Sequence, residues 1–320
     1  MRAVVLSEPG PVTNLSVVDR PVPEPPAGWV RIRVRAFGLN RSELHTRLGL
    51  ADGVTFPRVP GIECVGEIDS PGVLPVGTQV AAMMGDMGRT YDGGYAEYTV
   101  VPRSQVVPFR SDLPWSIIGA VPETLQTAYG SLTVGLDVEP GQTVLIRGGT
   151  SSTGLAAAAL AREMGATVLA TTRSADRLSA LADAGVEYPL VDDGEVAAKV
   201  RALFSSGVDG AIELVGTPTL PDTLAAVRVH GTVCFTGMLS NEWIVRDFYP
   251  IGYLPTGVRL TGYGGDAADL PAAVLQRALD DIALGKLDLG AQTVYEMDDI
   301  RKAHDDMEHN RVVGKQVVVI

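Results

Sequence analysis

Apolar and basic residues alternate strictly along Val30-Arg31-Ile32-Arg33-Val34-Arg35-Ala36, the period-two pattern of a strand with one face buried. Residues 64–68, 79–82 and 95–100 read as further short strands. Pro60-Gly61, Pro71-Gly72, Val76-Gly77 and Gly93-Gly94 punctuate the chain between them as turns. Near residue 113 the pattern changes. Asp112 is placed to cap a helix starting near Pro114, and a second helix is predicted over 124–133.

A regular alternation follows. Strands are predicted at 143–147, 167–172, 208–215, 231–236 and 258–263. Helices are predicted at 152–164, 175–184, 195–204 and 220–227, with Gly165 and Gly185 ending the first two. Strand and helix in turn define an α/β fold with a doubly wound parallel sheet of the Rossmann kind. After Gly265 come a helix over 268–284, a short helix over 300–308 and a last strand at 316–320. A βαβ block between two unlike ends implies an insertion. One domain is expected from 1–118 with 265–320, mostly β, and a nucleotide-binding domain from 119–264.

The sharpest local motif is Gly148-Gly149-Thr150-Ser151-Ser152-Thr153-Gly154, which leaves a strand and enters a helix. That context is what a dinucleotide fingerprint requires. Gly148 permits the tight turn and Gly154 lets the helix approach the sheet. The backbone N–H groups of Gly149, Thr150, Ser151, Ser152 and Thr153, at a helix N-terminus, suit a pyrophosphate. Ser151 stands where a middle glycine is usual, and its hydroxyl is a candidate donor to the phosphate.

The next strand ends in Thr172-Arg173-Ser174, with no acidic residue at its tip. Enzymes of this fold that use NAD place a carboxylate there to hold the ribose 2′-hydroxyl. Two hydroxyls and a guanidinium suit a 2′-phosphate instead, and Arg177 adds charge one turn further on. NADPH is therefore the expected cofactor.

Composition narrows the function. Hydrophobic residues make up 46% of the 320 and charged residues 20%, an ordinary globular balance with material for two cores. The net charge of −12, with no Lys/Arg cluster, argues against nucleic acid or an anionic membrane as partner. Cys64 and Cys234 lie in apolar runs and read as core residues; two cysteines cannot make a four-Cys zinc site. The N-terminus reaches Glu8-Pro9-Gly10 too soon for a signal peptide, and no apolar run approaches a bilayer span, so a cytoplasmic location is expected.

These motifs, with Gly38-Leu39-Asn40-Arg41-Ser42-Glu43-Leu44, Pro60-Gly61-Ile62-Glu63-Cys64-Val65-Gly66, Gly93-Gly94-Tyr95-Ala96-Glu97-Tyr98, Thr127-Ala128-Tyr129, Glu213-Leu214-Val215-Gly216 and Gly314-Lys315-Gln316-Val317-Val318-Val319, give the chain its resemblance. It resembles the medium-chain dehydrogenase/reductase superfamily over essentially its whole length, and within it the zinc-independent quinone oxidoreductase branch. The resemblance implies that the mostly β domain is GroES-like. The zinc alcohol dehydrogenases of the superfamily carry Cys, His and Cys as catalytic ligands. At the matching places this chain has Asn40, Ile62 and Glu123, and the Cys-rich lobe of the structural zinc is missing. Neither zinc is expected, because catalytic zinc needs about three ligating side chains and Ile62 offers none.

The resemblance also implies roles. Asn40 lies near the nicotinamide ribose and reacting centre, where its amide would donate. Thr127 and Tyr129 match positions that contact the nicotinamide end. Val215-Gly216 and Gly237-Met238-Leu239 pass the cofactor, and Asn310 belongs to a C-terminal segment that closes over it. His45, Met84, Met87, Arg89 and Tyr91 are candidates for the substrate-facing wall, with His45 also a candidate proton donor beside Asn40. His230, His304 and His309 read as solvated, and Glu63 as structural. A homodimer joined through 258–263 as edge strand is implied. Without zinc, hydride transfer from NADPH to a quinone is the preferred reaction. An enone or enoyl-thioester reductase has the same chemistry and stays open. So does a zinc alcohol dehydrogenase and, in another class, a non-catalytic NADPH-binding sensor or structural protein.

Overall fold

A computed structural model describes residues 1–72 and 74–320. In chain order the first stretch holds strands β1 (Arg2–Leu6), β2 (Leu15–Asp19) and β3 (Trp29–Gly38), helix α1 (Arg41–Arg47), and strands β4 (Glu63–Ile68), β5 (Gln79–Met83), β6 (Tyr98–Pro102) and β7 (Val106–Pro108). Helices α2 (Trp115–Ile118) and α3 (Pro122–Gly130) follow, the latter running into a π-helical turn at Ser131–Gly135. Then come β8 (Thr143–Arg147), α4 (Ser152–Glu163), β9 (Thr167–Thr172), α5 (Leu178–Asp183), β10 (Tyr188–Val191), α6 (Val196–Leu203), β11 (Val208–Glu213), α7 (Leu220–Ala226), β12 (Val227–Phe235), α8 (Pro250–Tyr253) and β13 (Arg259–Gly262). The last elements are α9 (Ala272–Ala283), β14 (Gln292–Glu296), α10 (Ile300–Glu308) and β15 (Lys315–Val319).

The chain divides into two compact units: Met1–Thr124 with Gly265–Leu287 and Ala291–Ile320, and Leu125–Gly264 with Asp288–Gly290. The first unit is built on a sheet ordered β14-β15-β3-β4-β5-β7, with β6 also pairing β3. Strand β3 explains how. Its ten residues are long enough to pair β15 along 36–38 and β6 along 29–33 on one side, and β4 on the other. Val30, Ile32, Val34 and Ala36 enter the core, while Arg31 and Arg35 reach Asp69 and Glu67 on the opposite face at 2.9 and 2.7 Å. Gly66 on β4 is required where it passes β3, since a Cβ there would collide with the Arg33 carbonyl.

The second unit is a six-stranded, all-parallel sheet in the order β10-β9-β8-β11-β12-β13. Strands buried on both faces are continuously apolar, as in Val144, Leu145 and Ile146 of β8. Helix α4 presents Ala156, Ala157, Ala158 and Ala161 inward, so its backbone packs close to the sheet. Strand β13 is an edge, and Leu260 on it is exposed.

The predicted elements are found, with shifted ends. Pro114 itself, not Asp112, occupies the cap position of α2. The helix expected from 268 begins at Ala272, after Pro271, whose ring favours a first-turn position. Strands β1, β2, β7, β10 and β14 and helices α1 and α8 were not predicted. Both cysteines are buried. No helix among the described residues is long and apolar enough to cross a membrane.

Candidate active site and nucleotide-binding turn

In the first unit, four segments converge on one carboxylate. Glu63 opens β4 and is buried. Its Oε1 accepts from Lys315 Nζ at 2.6 Å and from Asn40 Nδ2 at 3.1 Å, and its Oε2 accepts the backbone N–H of Glu123 at 3.0 Å. One side chain thus ties β4 to the start of α1, the start of α3 and the first residue of β15. Gly38, at the end of β3, makes room. A Cβ there would collide with the Glu63 carboxylate and with Lys315 Cε.

The Lys315 ammonium also donates to Asn40 Oδ1, and lies 3.3 Å from Glu123 Oε2. Burial works to lower its pKa, but the charges of Glu63 and Glu123 outweigh burial and raise it, so Lys315 stays cationic. A second buried carboxyl, Glu43 on α1, accepts the backbone N–H groups of Asn40 and Ile62, each at 2.8 Å. Burial pushes Glu43 up to about 7 from 4.5, against the pull of the Ile62 N–H and of Lys315.

This geometry fixes the surroundings of Asn40. Its Nδ2 faces Glu63, with Glu43 Oε1 further off at 3.5 Å, and its Oδ1 accepts from Lys315. One amide N–H is thus engaged by Glu63, and the carbonyl by Lys315. Glu63 holds the structural place expected of it. Lys315 and Glu43 carried no distinguishing sequence signal: each lies in a motif but acquires a role only where distant segments meet.

His45 is buried on the last turn of α1, and its carbonyl accepts the N–H of Leu50 at 2.8 Å. Met87, expected on a substrate wall, is fully buried in the core, because the turn at 84–88 folds it inward. Tyr91 donates to the Gly85 carbonyl, 3.0 Å away, and Arg89 to Ser42 Oγ at 2.8 Å. Asn310 takes a left-handed backbone with φ of 52° and accepts from Arg41. His304 was expected to be solvated; it is instead completely buried on α10, with Nε2 3.3 Å from the Tyr95 hydroxyl. The inward face of the amphipathic helix α10 holds His304 together with Ile300, Ala303 and Met307.

In the second unit the 148–154 turn has the expected construction. Gly148 takes φ of 89°, and a Cβ on Gly154 would lie 2.6 Å from the Gly148 carbonyl oxygen. Ser151 caps α4: its Oγ accepts the Gly154 N–H at 3.1 Å and donates to the Gly148 carbonyl at 2.8 Å. In the structure its proton is used inside the turn; donation to a phosphate is the expectation read from the sequence. The N–H groups of Ser152 and Thr153 in the first helical turn have no partner within the helix and suit an anion.

Strand ends gather the other predicted residues around this turn. Gly148 and Gly149 donate to Thr171 Oγ1 and Thr171 O at 3.0 and 2.8 Å, fixing the turn to the end of β9, where Thr172 is buried and Arg173 exposed. Ser174 lies next, with its N–H 3.4 Å from Thr172 Oγ1, and Arg177 ends a 3-10 turn before α5. A Cβ on Gly148 would meet Leu239, Leu214 and Val215, so the segments after β11 and β12 flank the turn. There Gly237 donates to the Glu213 carbonyl at 3.0 Å, Leu239 to the Leu214 carbonyl at 3.0 Å, and Asn241 to that of Met238 at 2.9 Å. Glu213, buried, organises this turn. Its Oε1 accepts the N–H groups of Val215 and Gly216 and the Thr219 hydroxyl, and Oε2 accepts from Thr223. Thr127, on α3, accepts at its carbonyl from Ser131 Oγ, 2.6 Å away, and that hydroxyl also meets Thr236 Oγ1 at 2.9 Å.

The family model described as "Alcohol dehydrogenase GroES-like domain" matches residues 26–111, and that described as "Zinc-binding dehydrogenase" matches 152–278. The chain belongs to the medium-chain dehydrogenase/reductase superfamily and is an oxidoreductase of it. It is 28% identical over 328 residues to a probable quinone oxidoreductase of Schizosaccharomyces pombe, covering 99% of this chain and 96% of that protein. A mycobacterial protein solved as a complex with NADPH superposes with a TM-score of 0.87 at 26% identity, covering 100% of both chains. An NAD-dependent alcohol dehydrogenase superposes with a TM-score of 0.85, also at 26% identity and covering 100% of both chains.

Proposed function

We propose that this protein transfers hydride from NADPH to a quinone without zinc. Relatives of one fold use either nicotinamide cofactor, so the choice rests on this chain's own residues. The observation that carries it is the tip of β9, where Thr172, the exposed Arg173 and Ser174 stand with no carboxylate among them. A guanidinium there favours a 2′-phosphate, and a carboxylate would repel it. The glycine cradle fits the rest of the cofactor. Gly148 takes a left-handed backbone, Gly154 leaves no room for a Cβ, and the start of α4 offers N–H groups for the pyrophosphate.

When bound, the nicotinamide supplies the hydride; the protein's part is to orient and to set the field. Zinc is disfavoured by what occupies the matching positions. Asn40 and Glu123 both face the Lys315 ammonium, and Ile62 has no ligating atom. A dication placed there would meet a buried like charge. Lys315 and Glu63 hold Asn40 in one orientation, and with it the start of α1. The exposed edge of β13, with Leu260 outward, supports a homodimer, and two buried free thiols fit a reducing cytoplasm.

The test is cofactor oxidation followed by absorbance in chelator-treated buffer. NADPH and NADH are each offered with quinones, enones, enoyl thioesters and simple aldehydes. NADPH-preferring turnover of quinones is expected, and Arg173→Ala should weaken NADPH binding by about tenfold or more with little effect on NADH. Preferred turnover of enones or enoyl thioesters would move the substrate class. A requirement for zinc would refute the metal-free reading. Tight NADPH binding with no turnover would favour a sensor or structural role.

A further inference from the structure

The last residue of β8, Arg147, is fully buried, yet the three residues before it are apolar and an apolar residue would complete the strand. Its guanidinium is bidentate to Asp192, with Nε to Oδ2 at 2.8 Å and Nη2 to Oδ1 at 2.7 Å. Asp192 follows β10, and its backbone N–H donates to the Thr172 carbonyl at 2.8 Å. The preceding residue, Thr171, receives the N–H groups of Gly148 and Gly149, and Gly148 is peptide-bonded to Arg147. A closed ring of bonds therefore runs from Arg147 through Asp192, Thr172 and Thr171 back to the glycine turn. It joins the pyrophosphate turn to the strand tip that carries Arg173.

The opposite side of the guanidinium meets a second carboxylate. Nη1 donates to Asp222 Oδ2 at 2.6 Å, to Thr223 Oγ1 at 3.1 Å and to the Thr219 carbonyl at 3.2 Å. Asp222 in turn accepts the N–H groups of Val196 and Ala197 at the start of α6. It anchors helices α6 and α7 and is no part of the ring.

We infer, resting on the NADPH reading above, that Arg147 and Asp192 are positioning residues for cofactor selection. By clamping the carbonyl end of β9 they hold the Thr172-Arg173-Ser174 tip at a set distance from the pyrophosphate turn, and so set the preference for a 2′-phosphate. Their part is to place the tip through the backbone, by way of the Thr172 carbonyl. Asp222 shares the same guanidinium but serves only the fold.

Dissociation constants for NADPH and NADH on the full chain, by fluorescence titration, test this with Asp192→Asn and Asp222→Asn. Each variant removes one charged acceptor from Arg147, so each should lower the melting temperature. Asp192→Asn should weaken NADPH about tenfold while NADH changes by less than about twofold. Asp222→Asn should leave the ratio of the two constants at the wild-type value. An unchanged ratio in Asp192→Asn, or an equal change in both variants, overturns the inference and leaves the NADPH reading intact. A wild-type protein without NADPH preference overturns the reading itself and the inference with it.

Should Asp192→Asn fail to fold, hydrogen exchange on the wild-type protein decides. Binding of 2′-phospho-5′-AMP, but not of 5′-AMP, should slow exchange at the Asp192 and Gly149 amides. Equal slowing by both nucleotides, or by neither, overturns it.

Discussion

The ammonium of Lys315 lies 2.6 Å from Oε1 of Glu63, an ion pair inside the first unit with only 4% and 1% of the two side chains exposed. Lys315 begins the last strand and Glu63 begins β4, so the pair joins segments more than 250 residues apart. Removing one member leaves the other charged and without water. Lys315→Met should therefore lose about 3–5 kcal/mol of unfolding free energy in urea titration. The double variant Lys315→Met/Glu63→Gln should lose less than the sum of the single variants, since neither uncompensated charge remains. A loss below about 1 kcal/mol in the single variant would show that the pair is solvated and the assignment wrong.

Two buried groups set opposing pH dependences. His304 is held neutral in the fold, burial first and the Arg47 charge second pushing it down to about 3 from 6.5. The unfolded chain thus binds the extra proton, and stability falls as pH drops from 6.5 toward 3. Glu43 is displaced the other way, to about 7 from 4.5, so the folded chain holds the extra proton and stability falls as pH rises from 4.5 toward 7. Between about 4.5 and 6.5 these contributions cancel. His304→Gln should expose the Glu43 slope, with stability falling by about 1.4 kcal/mol per pH unit as pH rises through that window. Glu43→Gln should expose the opposite slope. Denaturant titrations at several pH values check both, and parallel curves for all three proteins would refute the assignment.

The nucleotide turn makes separable demands at Gly154 and Ser151. A Cβ on Gly154 would press on the Gly148 carbonyl oxygen at 2.6 Å and on Gly149 Cα at 2.7 Å, both backbone atoms that cannot swing away. Gly154→Ala should move the turn and weaken both nicotinamide cofactors by about tenfold or more, a loss read by fluorescence titration. Ser151→Ala removes a helix cap and should cost about 1 kcal/mol of stability. Because the Ser151 hydroxyl donates within the turn, its loss should change cofactor affinity far less than Gly154→Ala; an equal loss would place that hydroxyl on the phosphate.

Glu213 supplies a prediction for the neighbouring segment. It is buried, its pKa is raised by that burial, and it accepts four bonds that shape the turn at 214–219. Glu213→Leu leaves the Val215 and Gly216 N–H groups and two hydroxyls without this acceptor. A loss of about 2–4 kcal/mol in thermal or urea unfolding is expected. Glu213→Gln, which keeps one carbonyl acceptor, should recover part of it.

The alternating strand at 30–36, the βαβ block and the glycine turn were all legible in the sequence by itself. Each follows from local physics: the period of side chains along a strand, helix signals ended by glycine, and backbone angles open mainly to glycine. The absence of an acid at the tip of β9 was equally readable, being a matter of residue type at a counted position. Strands β10 and β14 were not legible, since Tyr188–Val191 and Gln292–Glu296 are short and owe their state to pairing with β9 and β15. The roles of Glu43, Lys315, Arg147 and His304 were decided only by tertiary structure. A charged residue in a sequence reads as solvated, and His304 on an amphipathic helix was read that way. Only folding brings Asp192 to Arg147, Glu63 to Lys315 and Tyr95 to His304, and burial then removes the water that would otherwise have screened those groups.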